Sequence, residues 1–318
     1  MVMAHSLVQT LAQHHPAMSM DVLAPAWSRA LTERMPEVRE AIDMPLGHGE
    51  LGLGLRRRLG RALSDRYDWA IVLPNSLKSA LVPWWAGIPK RTGYTGEWRV
   101  GLLNDRRRLD KNRLRRTVER FVALGLPPDA PQPPQCPPPR LAVDTERARA
   151  VAERHGIDPQ RPLVALAPGA EYGPAKRWPM GHFVTLAREL LGKGDQVMVL
   201  GSQKDHELTH PLRALSGVHD LTGRTTLGEA VDLLSLARVT VTNDSGLMHV
   251  AAAVDSAVVA LYGSSDPGFT PPLTERARIL RLGLDCSPCF ERECPLGHTR
   301  CLTDIRPAQV LEAMETLS

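Results

Sequence analysis

Apolar and polar positions follow two rhythms along the chain. In the second half, short unbroken apolar runs at residues 163–167, 196–200, 239–242 and 257–262 read as strands buried on both faces. Between and around them, residues 180–191, 205–215, 227–236 and 246–253 read as helices. Strands alternating with helices at this spacing predict a doubly wound parallel sheet, in which ligands sit at the carboxyl ends of the strands. The first half is sparser. A helix is expected over residues 2–13, and strands over 20–23 and 69–73. In residues 112–124, Leu114, Val118, Phe121 and Val122 recur at helical spacing and predict an amphipathic helix.

Prolines at 127, 128, 131, 133, 134, 137, 138 and 139 forbid helix and sheet ladders in this stretch and favour stiff polyproline II. Residues 127–139 are therefore expected to link an N-terminal domain, 1–126, to a C-terminal domain, 140–318. No internal repeat of fixed period is present. A chain of 318 residues, 43% hydrophobic and 23% charged, is long enough for two such domains. Its net charge of +4 suits anionic small molecules or lipid headgroups and falls short of a nucleic-acid-binding arm. The N-terminus lacks the pattern of a secretory signal, so a cytoplasmic location is expected. No stretch approaches the roughly 18 apolar residues of a membrane span; the most apolar candidate, residues 81–88, is cut by Pro83.

Three motifs lie just after predicted strands. The first runs from Ala167 through Gly169, Ala170 and Gly173 to Lys176, Arg177 and Pro179. Its backbone N–H groups and the following helix N-terminus can hold a phosphate, with Lys176 as a point charge; an ordinary turn with solvated cations is the plainer alternative. The second is Thr242-Asn243-Asp244-Ser245-Gly246-Leu247-Met248-His249. Asp244 or Ser245 can cap the helix behind it, Gly246 permits close ligand approach, and His249 falls on the first turn beside the phosphates, although a packed histidine is the commoner case. The third is Gly201-Ser202-Gln203-Lys204-Asp205-His206-Glu207, with Leu221-Thr222-Gly223 after the next strand. Asp205 or Glu207 can bond ribose hydroxyls, or simply cap a helix.

With Asp266-Pro267 and Phe269-Thr270-Pro271-Pro272, these motifs resemble the ADP-heptose:lipopolysaccharide heptosyltransferases of Gram-negative bacteria, over the whole chain. Ala24-Pro25-Ala26-Trp27, Met44-Pro45-Leu46-Gly47-His48-Gly49, Leu73-Pro74-Asn75-Ser76 and Lys78-Ser79-Ala80-Leu81 are similar to the type II branch. The resemblance implies an α/β GT-B fold, two Rossmann-like doubly wound domains facing a central cleft. It further implies ADP-L-glycero-D-manno-heptose as donor, held in the C-terminal half by Gly169, Ala170, Lys176, Asp205, Thr222, Gly223, Asp244, Ser245, Gly246 and His249. The implied acceptor is a heptosylated Kdo-lipid A, met by Asn75, Ser76 and Lys78, with the arginine runs 56–58 and 106–108 attracting its anions unless they are merely solvated. Such an acceptor is compatible with peripheral contact at the cytoplasmic face of the inner membrane.

The implied reaction inverts the anomeric carbon, with Lys176 and backbone N–H groups stabilising the departing ADP and no cofactor or divalent metal required. Family members open with a short strand and a Gly-Asp loop whose aspartate is the proposed base. The sequence begins after that point, so the first sheet is expected to lack an inner strand. None of Asp21, Asp43 and Asp68 matches the base, and the chain as written is expected to bind donor but transfer heptose at a negligible rate. Two rivals stay open: a GT-B-like nucleotide-sugar epimerase, and a non-catalytic ADP-sugar-binding remnant. Finally, Cys286, Cys289, Cys294 and Cys301 cluster in one short segment, as a structural metal site, labile disulfides or free thiols.

Overall fold

The computed structural model describes residues 1–47 and 49–317, so His48 of the Met44–Gly49 motif lies outside the described residues. The chain divides into two compact units. One comprises Met3–Glu33 and Glu37–Pro137 with Met1; the other comprises Pro138–Ser318 with Arg34–Pro36 and Val2.

In the first unit, β1 (Met20–Pro25) pairs in parallel with β2 (Val38–Met44). Separately, β3 (Trp69–Val72), β4 (Lys90–Tyr94) and β5 (Asp105–Arg107) form a parallel sheet in that order. Strands β1 and β3 thus each have one paired neighbour among the described residues, yet they share an apolar layer. Leu7, Val8, Leu11 and Met20 pack with Trp69, Ile71 and Leu73, and the Tyr67 hydroxyl donates to Asp21 Oδ2 at 2.6 Å. The first helix is His5–His14, preceded by one turn of 3-10 helix. Only the end of the helix expected over 112–124 forms, as Thr117–Gly125. The cause is local: Asp110 Oδ1 takes the N–H groups of Asn112 and Arg113 into a turn, and Glu119 accepts the Arg116 N–H at 2.8 Å to start the helix there.

The second unit contains one six-stranded parallel sheet. Its strands are β6 (Leu163–Ala167), β7 (Gln196–Val199), β8 (Val218–Asp220), β9 (Val239–Asn243), β10 (Ala257–Leu261) and β11 (Ala277–Leu280). Every residue of β6, β7, β9 and β10 is buried, which is why these strands read as unbroken apolar runs. Helices Met180–Gly192 and Pro307–Glu315 lay Phe183, Leu186, Leu190, Val310 and Met314 on one face of the sheet. The spatial order β8-β7-β6-β9-β10-β11 is the 3-2-1-4-5-6 order of Rossmann folds. Chain direction across the sheet reverses between β6 and β9, and in open α/β sheets ligands bind outside the carboxyl ends of the strands at such a point.

The helix expected over 205–215 is broken into a 3-10 turn, Gln203–Asp205, and a short helix, His210–Arg213. Pro211 explains the break, because it has no N–H to continue a helix entering from Asp205. Arg34, folded with the second unit, is 9% exposed. It donates to the carbonyls of Ala142 and Gly228 and to Asp232, whose carboxylate also takes Arg147.

Candidate functional site

The loops after β6 and β9 meet at the reversal point. Asn243, the last residue of β9, is fully buried and clamps the Gly-rich loop: its Nδ2 donates to Pro168 O at 2.7 Å, and its Oδ1 accepts the Trp178 N–H at 2.9 Å. Trp178 is itself 1% exposed and donates Nε1–H to Ile305 O at 2.8 Å, which anchors the far end of the loop. Held so, Lys176 Nζ reaches Asp244 Oδ2 at 2.5 Å, and the two side chains are 18% and 7% exposed. Thr270, from the loop after β10, donates to the other oxygen of Asp244 at 3.5 Å. The ammonium also lies 5.1 Å from the centroid of the half-exposed Tyr172 ring.

The expected capping of the helix Gly246–Ala253 is corrected. Ser245 occupies the N-cap position without a side-chain cap bond, because its hydroxyl pairs with Thr242 Oγ1 at 3.1 Å and the Asp244 carboxylate is held by Lys176 and Thr270. The first-turn amides therefore have no side-chain acceptor of their own, and a Cβ at Gly246 would meet nothing within 4 Å. Backbone donors, open space and an ammonium together form an anion-accepting corner. His249 follows one turn on, and burial pushes its imidazole down to about 4 against the opposing pull of Asp244. It is neutral at ordinary pH and can serve as a hydrogen-bonding group, not as a cation.

The loops after β7 and β8 use their polar groups internally. Asp205 Oδ2 accepts the Ser202 N–H at 2.9 Å and its hydroxyl at 2.7 Å, the capping alternative. The same carboxylate lies against Gly169, where a Cβ would stand 2.7 Å from Asp205 Cγ. Thr222 is fully buried and its hydroxyl donates to Asp220 Oδ1 at 2.6 Å. Gly223 has a φ of +71°, and a Cβ there would strike Gln203 Oε1 at 2.3 Å. Ala170 is buried and Glu207 exposed.

In the first unit, Asn75, Ser76 and Lys78 follow the carboxyl end of β3. Arg99, only 2% exposed, stitches this turn to β4 by donating to Pro74 O at 2.7 Å, Asn75 Oδ1 at 3.3 Å and Tyr94 O. Neither arginine run is a uniform face. Arg56 is buried and bonded to Leu51 O at 2.7 Å, and Arg107 is paired with Asp105; Arg57, Arg58, Arg106 and Arg108 are exposed. Asp21 sits inside β1 and Asp43 inside β2, and both accept from arginines, Arg39 and Arg29.

A cavity of about 560 Å³ lies at the amino ends of the second unit's strands and is lined by Arg161, Arg238, Asp255 and Arg276. Sheets of this kind bind at the opposite ends, so the Lys176–Asp244 corner is the better candidate. Reading residues one motif at a time gave no individual role to Asn243, Thr270 or Tyr172 and passed over Arg99, because their partners come from distant segments. Only the exposure of an aromatic at Tyr172 and the burial of a charge at Arg99 would have marked them. Among the described residues, no helix is long and apolar enough to cross a membrane.

The sequence profile of glycosyltransferase family 9 (heptosyltransferase) matches residues 56–300. Lipopolysaccharide heptosyltransferase 2 of Salmonella typhimurium is 47% identical, with 100% of this chain and 94% of that protein covered. Lipooligosaccharide heptosyltransferase 2 of Haemophilus influenzae is 43% identical, with 100% and 95% covered. The structure of Escherichia coli ADP-heptose lps heptosyltransferase II superposes with a TM-score of 0.88 at 45% identity, covering 100% of this chain and 94% of that one. The α/β fold is accordingly the GT-B fold anticipated above, and the chain belongs to glycosyltransferase family 9, the heptosyltransferases.

Proposed function

We propose that this chain is an inverting glycosyltransferase that moves L-glycero-D-manno-heptose from ADP-heptose to a heptosylated Kdo-lipid A in building the lipopolysaccharide inner core. The observation that carries the donor half is the Lys176–Asp244 pair at the reversal point of the sheet, beside the uncapped helix N-terminus at Gly246. The arriving diphosphate would take Lys176 from Asp244 and accept from the first-turn amides. As the bond to the sugar breaks, charge grows on the β-phosphate and strengthens both contacts, the requirement for transition-state stabilisation. Gly169 and Ala170 line the approach, and His249 is assigned to the donor as a neutral hydrogen-bonding group. Asp205, Thr222 and Gly223 act on the donor by shaping the loops next to it. Asn75, Ser76 and Lys78 are assigned to the acceptor, with Arg57 and Arg58 drawing its anionic groups. Full-length identity of 47% to a heptosyltransferase supports transfer over the epimerase and binding-remnant readings.

The test reads binding and chemistry separately. Calorimetry should show ADP binding that weakens at least tenfold in Lys176→Ala, equivalent to about 1.4 kcal/mol. Any turnover of ADP-heptose with the lipid should give a heptosyl-lipid of inverted anomeric configuration. ADP affinity indifferent to Lys176, or a donor product that is hydrolysed or epimerised without lipid glycosylation, would overturn the reading.

A further inference from the structure

Between β11 and the short helix Arg300–Thr303 the chain crosses about twenty residues without regular structure, and four of its five cysteines lie in or at the end of this segment. The segment is tied to the loop that carries Lys176. Tyr172 donates its hydroxyl to Phe290 O at 2.6 Å, Arg292 Nε donates to Tyr172 O at 2.7 Å, and the Ala175 N–H donates to Arg292 O at 3.0 Å. The approach is close enough that a Cβ on Gly173 would stand 2.4 Å from Arg292 O. On its other side the Phe290 N–H donates to Ser264 O at 2.7 Å.

At the centre of this arrangement, Cys286, Cys289, Cys294 and Cys301 line a single cavity of about 20 Å³. Three further features belong to the same place. The Thr299 N–H donates to Cys294 Sγ at 3.4 Å, and the Gly297 N–H donates to the carbonyl of Cys294 at 3.0 Å, closing a turn on that residue. Cys301 Sγ is held against Gly263, 3.1 Å from where a Cβ there would stand. Ser264 also lines the cavity; it is 1% exposed, and its hydroxyl has no hydrogen-bond partner among the described residues.

A packed neutral loop explains none of these together. Four cysteines around one small cavity supply the complete soft-donor set of a tetrahedral metal site. A buried hydroxyl without a partner costs stability unless something in the cavity accepts its proton. We propose that Cys286, Cys289, Cys294 and Cys301 form a tetrahedral four-thiolate site for a thiophilic divalent cation of the zinc class, and that the ion fastens this segment to the Lys176 loop. Four sulfurs at about 2.3 Å from the ion would complete its coordination, and Ser264 Oγ–H would donate to one of them. Among the described residues no three candidate ligands already close on one point. Binding therefore draws the thiols inward and releases their protons to solvent, as is usual where metal binding and local folding are coupled.

The experiment is metal analysis of the full chain purified under reducing conditions. About one zinc ion per chain is expected, as for a closed structural site. One equivalent of iron in place of zinc also supports the assignment, since four thiolates serve either ion. Cobalt exchanged into the unaltered protein should give thiolate-to-cobalt charge-transfer bands, a readout independent of whether cysteine variants fold. Cys286→Ser/Cys289→Ser should abolish both signals. Ser264→Ala should retain the metal with affinity reduced about tenfold or more, the usual weight of a group supporting a ligand. Chelation should speed proteolysis of the Gly-rich loop. Four thiols titrating freely in a metal-free and cobalt-silent protein, or two disulfides by mass, would overturn the site; unchanged proteolysis on chelation would overturn the fastening.

Discussion

Replacing Lys176 by alanine separates what the ammonium does for chemistry from what it does for the fold. If the charge stabilises the departing diphosphate, turnover should fall roughly 10²-fold, about 2.7 kcal/mol of transition-state energy. The structure predicts a second loss. Asp244, with its side chain 7% exposed, would retain among the described residues the 3.5 Å contact from Thr270. Removing one member of a buried pair costs about 3 kcal/mol, taken at the low end of its range because Lys176 is partly exposed. For a unit of this size that cost lowers the melting midpoint by roughly 6–12 °C. A slow and destabilised enzyme could be misread as merely unfolded. The companion Lys176→Met/Asp244→Asn removes both charges and the orphaned carboxylate, and should return the midpoint to within about 3 °C of the parent. It should not return activity, because the positive charge is still missing. Scanning calorimetry with a heptose-transfer or ADP-release assay, on a form that turns over, reads both quantities. Recovery of turnover in the double variant, or near-normal turnover in Lys176→Ala, would refute the argument.

The other predictions rest on different contacts. Asn243→Ala should cost about 2–4 kcal/mol, since it removes two buried hydrogen bonds and leaves the Trp178 N–H and Pro168 O unpaired; urea melts check the stability, and a weaker apparent affinity for ADP checks the loop. Asp232→Ala leaves the buried Arg34 charge with the carbonyls of Ala142 and Gly228 but without its carboxylate and should cost about 3 kcal/mol, whereas Glu146→Ala, whose carboxylate is exposed, should leave the urea midpoint unmoved. His249 has its imidazole lowered from an ordinary 6.5 to about 4, so the unfolded chain binds a proton first. The contribution of His249 to stability should be level above about pH 6.5, decline as pH falls toward 4 and be level again below it, where protonation of the arginine-paired Asp21 and Asp105, held below the ordinary carboxyl range, continues the fall in overall stability. His249→Gln should flatten that decline in denaturation midpoints compared between about pH 7 and pH 5. A residual slope should persist, because burial lowers His155, His182 and His219 in the same direction.

Which strands were readable from the sequence follows from where they lie. The four found in the second unit, β6, β7, β9 and β10, are the inner strands, buried on both faces and therefore apolar throughout. Those missed, β8 and β11, are the two edges: one is three residues long, and the other has Arg278 and Ile279 exposed. In the first unit, β2, β4 and β5 went unseen for a related reason, since each carries charged residues within its span. The helix Thr145–Arg154 was also missed. It buries only Ala148, Val151 and Ala152 beneath a surface of Glu and Arg, so its apolar stripe is too faint to show as a period.

The site was readable in its parts but not in its pairing. Lys176 and Asp244 stand in two motifs 68 residues apart, and nothing local to either identifies the other. The pairing is made by strand order. After β6 the chain turns outward through β7 and β8, then returns to place β9 directly against β6. Loops after β6 and β9 are thereby neighbours at the reversal point, while the loops after β7 and β8 are carried to the flank. Motif reading offered all four loops as donor contacts, with helix capping as the alternative for Asp205. The sheet sorts them: Lys176, Asp244 and the open first turn at Gly246 face one another, whereas Asp205, Thr222 and Gly223 are occupied with Ser202, Asp220 and Gln203. The flank still bears on the donor mechanically, because the Asp205 carboxylate lies against Gly169. A substitution at Gly169 would therefore shift the phosphate loop by steric pressure from Asp205, and Asp205→Gly should relieve it. Recovery of ADP affinity in Gly169→Ala/Asp205→Gly over Gly169→Ala alone, measured by calorimetry, is expected; equal affinities in the two would mean that the flank loop does not set the position of the donor loop.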